Sequence, residues 1–141
     1  MESAHVIQFL QRTPLFGAFS KEELEAIIKT SREREFSPGE VILREGDPSN
    51  LGFYLILSGQ AEVRKGSKSL AKLKTGDFFG EMALLLDTPR TADVVALEKT
   101  RCLLLTRWAL RSLISTYPDM ALKIQAELAR RLLNTNQALS E

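Results

Sequence analysis

Polar and apolar residues follow a helical period at the beginning of the chain. The apolar residues between positions 4 and 10 favour a short helix, which ends before Pro14. Ser20 and Glu23 have the spacing of a capping box, in which each side chain bonds the backbone N–H of the other residue. Apolar residues recur at helical spacing after this pair, so the pattern predicts a helix over residues 21–30.

The pattern changes after Arg32, where short apolar runs alternate with turn residues. Glycine recurs in these turns, for example at Pro38-Gly39 and Ser58-Gly59. Regular punctuation of this kind is typical of a β-sandwich or β-barrel. The runs that have the length of a strand lie at 41–43, 53–57, 61–63, 70–73, 94–97 and 102–105.

One apolar run differs from the others in composition. Residues 81–86 include no β-branched residue, and a turn at Asp87-Thr88-Pro89 follows them. Leucine, methionine and alanine favour helix, whereas β-branched residues favour strands. The sequence therefore predicts a short helix inserted between two strands of the barrel.

Helical spacing returns after Thr106, and Tyr117-Pro118-Asp119 separates two predicted helices. The second helix carries two apolar stripes, which predict that two of its faces are covered. One stripe is expected to pack on the barrel and the other on a second copy, as a homodimer through this helix. The first stripe consists of Met120, Ile124, Leu128 and Leu132, and the second of Leu122, Ala126, Ala129 and Leu133.

Composition and charge restrict the class of protein. The 141 residues are 44% hydrophobic and 26% charged, and the net charge is +1, as in an ordinary globular protein. We expect one domain, and no broad electrostatic attraction to nucleic acid or to an anionic membrane. A single cysteine, Cys102, precludes an internal disulfide, and no run is long enough to cross a bilayer, so a cytoplasmic location is expected.

Two single residues of distinctive chemistry are expected to have packing roles. Cys102 lies in an apolar run and is interpreted as a small core residue. Trp108 begins a helix and is likewise expected to pack against the protein. His5 is the only histidine, so a barrel enzyme that holds a metal through several histidines is not expected.

A glycine, an acid and an arginine surround the predicted inserted helix. Gly80 lets the backbone approach a ligand, and the start of the following helix offers free N–H groups to an anion. Arg90 would bring a planar fork of donors that suits phosphate oxygens. Glu81 can only accept hydrogen bonds when it is ionised, so it suits a sugar hydroxyl. Together they predict a site for a phosphorylated sugar.

Residues 79–92 resemble the phosphate-binding cassette of the cyclic nucleotide-binding domain family. The cassette reads Phe-Gly-Glu, an apolar residue, Ala, Leu, a short loop, and then Arg, a small residue and Ala. Here these segments are Phe79-Gly80-Glu81-Met82-Ala83-Leu84 and Pro89-Arg90-Thr91-Ala92. The resemblance covers nearly the whole chain and implies a mainly β fold with flanking helices, a jelly-roll barrel (double-stranded β-helix) that carries the cassette helix.

The resemblance also implies the boundaries and the ligand. The single domain 1–141 would comprise an amino-terminal helical segment at 1–31, the barrel at 32–106 and two carboxyl-terminal helices at 107–141. Its ligand would be a 3′,5′-cyclic purine mononucleotide, cAMP in the first place, with cGMP left open because Thr91 occurs in relatives of both kinds. No cofactor or metal is implied.

Specific residues follow by position in the cassette. Glu81 would bind the ribose 2′-hydroxyl and Arg90 the cyclic phosphate. The remaining cassette residues of the predicted site are Gly80, Met82, Ala83, Thr91 and Ala92.

The last helix resembles that of bacterial catabolite activator-type proteins, in which a Thr-Ser pair reaches the adenine. Thr135 and Asn136 stand at that position, with Asn replacing Ser. Those relatives continue into a helix-turn-helix domain. Because this sequence stops at Glu141, we expect no contact with DNA from these residues.

One alternative to a nucleotide sensor stays open on the sequence. Glu81 and Arg90 would also suit an ordinary salt bridge, in which case the same fold serves as a dimerisation or protein-interaction module without a ligand. An enzyme is not expected, because no general base, nucleophile pair or metal cluster accompanies the cassette. The leading expectation is a non-catalytic regulatory domain, in which movement of the carboxyl-terminal helix is the switch.

Overall fold

The computed structural model describes residues 3–13, 15–46, 52–80 and 92–140. The chain divides into two compact units, which we call the helical unit and the barrel unit. The helical unit comprises Met1–Lys29 and Arg111–Glu141, and the barrel unit comprises Thr30–Leu110. The expectation of a single domain stays a prediction.

The helices lie where the apolar periodicity predicts them. In the described residues no helix is long and apolar enough to cross a membrane. The helices are α1 (Ser3–Gln11), α2 (Lys21–Thr30), α3 (Arg107–Thr116) and α4 (Asp119–Ser140), with a short 3-10 helix at Phe16–Ala18.

The predicted capping box is present at the start of α2. The Ser20 backbone N–H donates to Glu23 Oε1 at 2.7 Å, and the Glu23 N–H donates to Ser20 Oγ at 3.1 Å. Glu23 is buried, and its Oε1 also accepts a hydrogen bond of 2.7 Å from Lys123 Nζ of α4. Lys123 Nζ lies 5.7 Å from the centroid of the Phe19 ring, within the range of a cation–π contact. The start of α2 is therefore tied to α4 by a charged hydrogen bond.

The two predicted stripes of α4 have opposite environments. Met120 and Ile124 are buried, which confirms the packed stripe over these residues. Leu122 and Leu133, in contrast, are 64% and 57% exposed. Ala126 and Ala129 lie between them and are also exposed. These four residues therefore form an exposed apolar seam on α4.

The barrel unit consists of two four-stranded antiparallel sheets, in agreement with the predicted β-rich fold with flanking helices. The first sheet has the strand order β1-β8-β3-β6 and the second β2-β7-β4-β5. The inserted helix predicted at 81–86 lies outside the described residues. The strands are β1 (Arg32–Phe36), β2 (Val41–Leu43), β3 (Gly52–Ser58), β4 (Gln60–Lys65), β5 (Lys68–Lys74), β6 (Phe78–Phe79), β7 (Asp93–Ala96) and β8 (Thr100–Thr106).

Both sheets contribute side chains to one hydrophobic core. Burial of Cys102 raises the pKa of its thiol to about 12, so it stays protonated, as expected of a packing residue. The corresponding expectation for Trp108 is wrong, because this side chain is 65% exposed. The buried core residues are Phe36, Tyr54, Ile56, Ala61, Phe79, Val94, Ala96, Cys102 and Leu104.

Two strands were not predicted from the apolar runs. β1 has the sequence Arg-Glu-Arg-Glu-Phe, and only Phe36 of this strand is buried. Its acids pair with cations of the barrel unit, Glu33 with Arg101 and Glu35 with Lys99. β6 contains only two residues, which is too short to give a periodic signal. These two strands can be identified only from their pairing with β8 and β3 in the structure.

The pair of Glu23 and Lys123 predicts a stability that depends on pH. Burial alone would raise the pKa of Glu23, but the hydrogen bonds from Lys123 and Ser20 outweigh it and lower that pKa below its usual value. The ionised carboxylate therefore stabilises the fold fully above its unfolded-state pKa of about 4.3, and this contribution is lost as the pH falls through the lower folded-state pKa. We expect Lys123→Met to reduce the free energy of unfolding at pH 7 by about 1 to 2 kcal/mol.

Urea denaturation at pH 7 and near pH 3 measures this effect. The difference between Lys123→Met and wild type should shrink at the lower pH, because Glu23 of the unfolded chain binds a proton below about 4.3 and the native carboxylate then loses its advantage. Lys29→Met removes an exposed lysine of α2 and is the matched control, with an expected cost below about 0.5 kcal/mol. Equal costs for the two variants at pH 7 would contradict the prediction.

Gly59 predicts a second effect on stability. Its φ angle is 101°, and an added Cβ would lie 2.5 Å from the Lys99 carbonyl oxygen and 2.7 Å from Thr100 Oγ1. Gly39 has a similar φ of 85° but no neighbouring atom within 4 Å of such a Cβ, so it isolates the conformational cost. We expect Gly59→Ala to reduce the free energy of unfolding by about 2 kcal/mol more than Gly39→Ala, measured by urea denaturation. A similar loss in both variants would show that the close approach is not a constraint.

Candidate functional site

An aromatic stack holds the strand that leads into the predicted cassette. The rings of Tyr54 in β3 and Phe79 in β6 are stacked, with centroids 5.2 Å apart and an angle of 12° between the planes. Phe36 meets Tyr54 edge to face at 6.1 Å. All three side chains are buried. The end of β6 is thus fixed in the barrel core.

The turn before β6 is fixed by hydrogen bonds as well. Asp77 Oδ2 accepts from the backbone N–H of Lys74, and the Asp77 N–H donates to the Lys74 carbonyl, both at 2.9 Å. Ile56 of β3 donates its N–H to the Asp77 carbonyl and accepts from the Gly76 N–H, again at 2.9 Å. The polypeptide therefore reaches Phe78 in a position determined by β3.

Gly80 follows immediately and has a left-handed backbone conformation, with a φ of 88°. Residues with a side chain rarely adopt this conformation, because their Cβ approaches the backbone. The positive φ angle therefore explains why a glycine stands at position 80. This conformation places Gly80 directly after the end of β6.

The described residues resume at Ala92, next to a strand of the other sheet. Ala92 is half-buried and precedes β7, which pairs with β2 on one side and β4 on the other. Asp93 Oδ1 accepts a hydrogen bond of 2.6 Å from the Glu45 backbone N–H, just after β2. The predicted cassette thus begins at the edge strand of one sheet and ends at an inner strand of the other.

The predicted site residues fall into three groups in the structure. Gly80 and Ala92 lie in the barrel unit, at the two ends of the cassette. Thr135 and Asn136 lie within α4 of the helical unit, and their contact with a base stays a prediction. The remaining five lie outside the described residues, so their roles also stay predictions: Glu81, Met82, Ala83, Arg90 and Thr91.

The sequence interpretation missed the residues that hold the cassette in place. Tyr54 and Phe36 belong to strands remote from Gly80 in sequence, and nothing in the cassette motif points to them. Nothing in the cassette motif points to Asp77 either, although its carboxylate and its backbone form the hydrogen bonds that fix the turn before β6. The two aromatic residues directly before Gly80 were the available signal, because a buried aromatic pair marks an anchored strand end.

A groove of about 530 Å³ lies in the helical unit, between α1 and α2. Its lining combines the apolar Ile7 and Ile28 with the charged Lys21 and Glu25. Of the predicted site residues that the structure describes, none lines this groove.

Comparison with known proteins identifies the family. The family model of the cyclic nucleotide-binding domain matches residues 33–117. A cAMP-dependent protein kinase regulatory subunit of Hypocrea atroviridis is 39% identical over 106 residues, which are 75% of this chain and 23% of that protein. The chain thus spans about a quarter of the length of this relative.

Two solved structures share the fold. The catabolite activator protein of Thermus thermophilus superimposes with a TM-score of 0.80 at 34% identity, over 91% of this chain and 62% of that one. The cAMP-bound PfPKA-R superimposes with a TM-score of 0.69 at 32% identity, over 79% of this chain and 41% of that one. The family model covers more than half of the sequence, and the barrel carries the matching strands. The chain therefore belongs to the cyclic nucleotide-binding domain family.

Proposed function

We propose that this chain binds a 3′,5′-cyclic purine mononucleotide, cAMP in the first place, as a non-catalytic regulatory domain. Membership of the family supports the class of ligand. The choice of cAMP is supported by a relative that is a cAMP-dependent kinase regulatory subunit and by the cAMP-bound PfPKA-R. cGMP is the second ligand to test.

The observation that carries this proposal is the geometry at Gly80. A glycine with a φ of 88°, directly after a buried and stacked Phe79, starts the cassette at a fixed place. Backbone N–H groups that follow such a turn can approach an anion closely. Within this frame we assign the cyclic phosphate to Arg90 and the ribose 2′-hydroxyl to Glu81. An arginine supplies several fixed donors to phosphate, and a carboxylate accepts from a hydroxyl.

The proposed role is regulation through α4 rather than turnover of the nucleotide. A ligand shifts a conformational equilibrium only by the difference in its affinity for the two states. In the proposed mechanism, cAMP prefers one position of α4, and Thr135 and Asn136 supply contacts to the base in that state. A partner in contact with α4 would then respond to the position of this helix.

Substitution of Arg90 tests the site directly. We expect Arg90→Ala to weaken cAMP binding by about 100-fold, because a charged hydrogen-bond donor to the phosphate is lost. Isothermal titration calorimetry with cAMP and cGMP measures the effect. Arg111→Ala removes an exposed arginine of α3 and should leave the affinity unchanged. No binding of either nucleotide to wild-type protein at high micromolar concentration, or equal binding by Arg90→Ala, would refute the proposal.

The same titration separates the role of Glu81 from that of Arg90. 2′-Deoxy-cAMP lacks the hydroxyl assigned to Glu81, so wild type should bind it about tenfold more weakly than cAMP. Glu81→Ala should bind the two nucleotides equally. If Glu81→Ala still prefers cAMP over the deoxy compound, the carboxylate does not contact the ribose.

A second candidate function is a dimerisation or protein-interaction module. The exposed seam of α4 favours it, since Leu122 and Leu133 present apolar surface at a spacing compatible with a two-stranded coiled coil. This role is also compatible with nucleotide binding in the same protein. The homodimer remains a proposal for which the seam is the support.

A charge placed in this seam tests the dimer. We expect Leu122→Glu to raise the dimer dissociation constant by about 100-fold, because each of the two copies loses a buried leucine and gains a charge. Analytical ultracentrifugation with and without cAMP gives the mass. Gln125→Glu adds the same charge at an exposed position of α4 and is the control. A monomeric wild type in both conditions would exclude the dimer, and a nucleotide-dependent mass would support the switch.

A further inference from the structure

Positive charge is concentrated in the hairpin formed by β4 and β5. No acidic residue occurs from Val63 to Gly76, although the net charge of the whole chain is only +1. The cations in this stretch are Arg64, Lys65, Lys68, Lys72 and Lys74. The barrel unit therefore has one strongly basic element on a nearly neutral protein.

β5 is the last strand of its sheet. It pairs with β4 on one side, and its other side pairs with no strand in the described part of the chain. All of its residues are exposed except the half-buried Leu73. Leu70 is one of the few large apolar side chains on the described surface, with 50% of it exposed. An edge of this kind presents backbone N–H and C=O groups to a further strand.

The cations of β4 and those of β5 differ in their partners. Arg64 forms an ion pair with Glu62, and Lys65 Nζ lies 4.0 Å from Glu45 Oε1. The three lysines of β5 form no ion pair within 4.0 Å with any described acid, although Lys72 stands opposite Glu62 in the register. Within the hairpin, the cations without an ion pair to a described acid therefore lie on the edge strand.

Lysines on an edge strand have a clear effect on pairing. They oppose the addition of a second copy of β5, because like charges would then lie side by side. They favour an acidic strand for the same reason, and this combination of repulsion and attraction produces specificity. We propose that the β5 edge binds an extended acidic peptide segment by strand addition, with Leu70 as its apolar contact.

The register of the hairpin favours an extended segment over a flat anionic surface. Leu73 and Val63 pack against the core, so Lys72 and Lys74 point to the opposite face of the sheet. A shift in register between Val63 and Arg64 places Lys68 on the other face. A membrane or a nucleic acid duplex would therefore meet only some of these lysines. A strand that runs along the edge passes all three.

A fluorescein-labelled peptide of alternating Glu and Val residues is a suitable probe, measured by fluorescence anisotropy at low salt. We expect saturable binding, which the double variant Lys72→Glu/Lys74→Glu weakens by about tenfold. The control Lys21→Glu/Lys29→Glu reverses two exposed lysines of α2 and should change the affinity less than about twofold. Amide hydrogen exchange should show new protection in β5, since strand addition forms backbone hydrogen bonds.

Several results would overturn the proposal. They are the absence of saturable binding, equal affinity in the lysine reversal variant, and unchanged exchange of the β5 amides. Equal binding of a peptide in which proline replaces each valine would exclude strand addition, because proline lacks the backbone donor. Tighter binding of phosphatidylserine vesicles or of a DNA duplex than of the peptide would assign the basic edge to a different partner.

Two further measurements keep the test independent of folding and of the nucleotide site. Lys72→Gln/Lys74→Gln removes the charges without reversing them, so it should give an intermediate affinity while its urea midpoint equals that of wild type. Arg90→Ala should bind the peptide as well as wild type does. Loss of peptide binding in Arg90→Ala would contradict an edge site that works separately from the cassette.

Discussion

The stack of Phe79 on Tyr54 is the contact on which the candidate site depends. Two buried rings 5.2 Å apart hold the short β6 against β3, in addition to the pairing of the two strands. Asp77 also anchors this region, because its carbonyl accepts a hydrogen bond from the N–H of Ile56 in β3. The left-handed Gly80 can direct the cassette reproducibly only because the residue before it is immobilised in the core.

The location of the two ends of the cassette has an energetic consequence. One end follows β6 at the edge of the first sheet, and the other precedes β7 inside the second sheet. A ligand held by this segment therefore requires both sheets to be folded around their common core. Any ligand that binds only the folded barrel stabilises it by mass action, so occupancy and stability of the barrel unit are linked.

The sequence predicts what is local and misses what depends on remote partners. The Ser20 and Glu23 capping box needs only four consecutive residues, and both of its hydrogen bonds are present. Six strands are predicted by apolar runs, whereas β1 alternates charged residues and is not. Its acids form ion pairs with Arg101 of β8 and with Lys99, which directly precedes β8. Trp108 shows the opposite error, because it is predicted to be packed and is exposed. A large apolar side chain is not buried merely because it is large. The cassette residues are recognisable from their motif, but the aromatic support beneath Gly80 is not.

The hydrogen bond between Glu23 and Lys123 joins residues 100 positions apart, and the barrel lies between them in sequence. Closing so long a loop costs chain entropy, and this cost falls when the intervening residues are already compact. On a ribosome, α1 and α2 emerge long before their partner helix α4 is made. The barrel can therefore fold while α1 and α2 still lack their partner helix. The helical unit is completed last, once α4 has been synthesised.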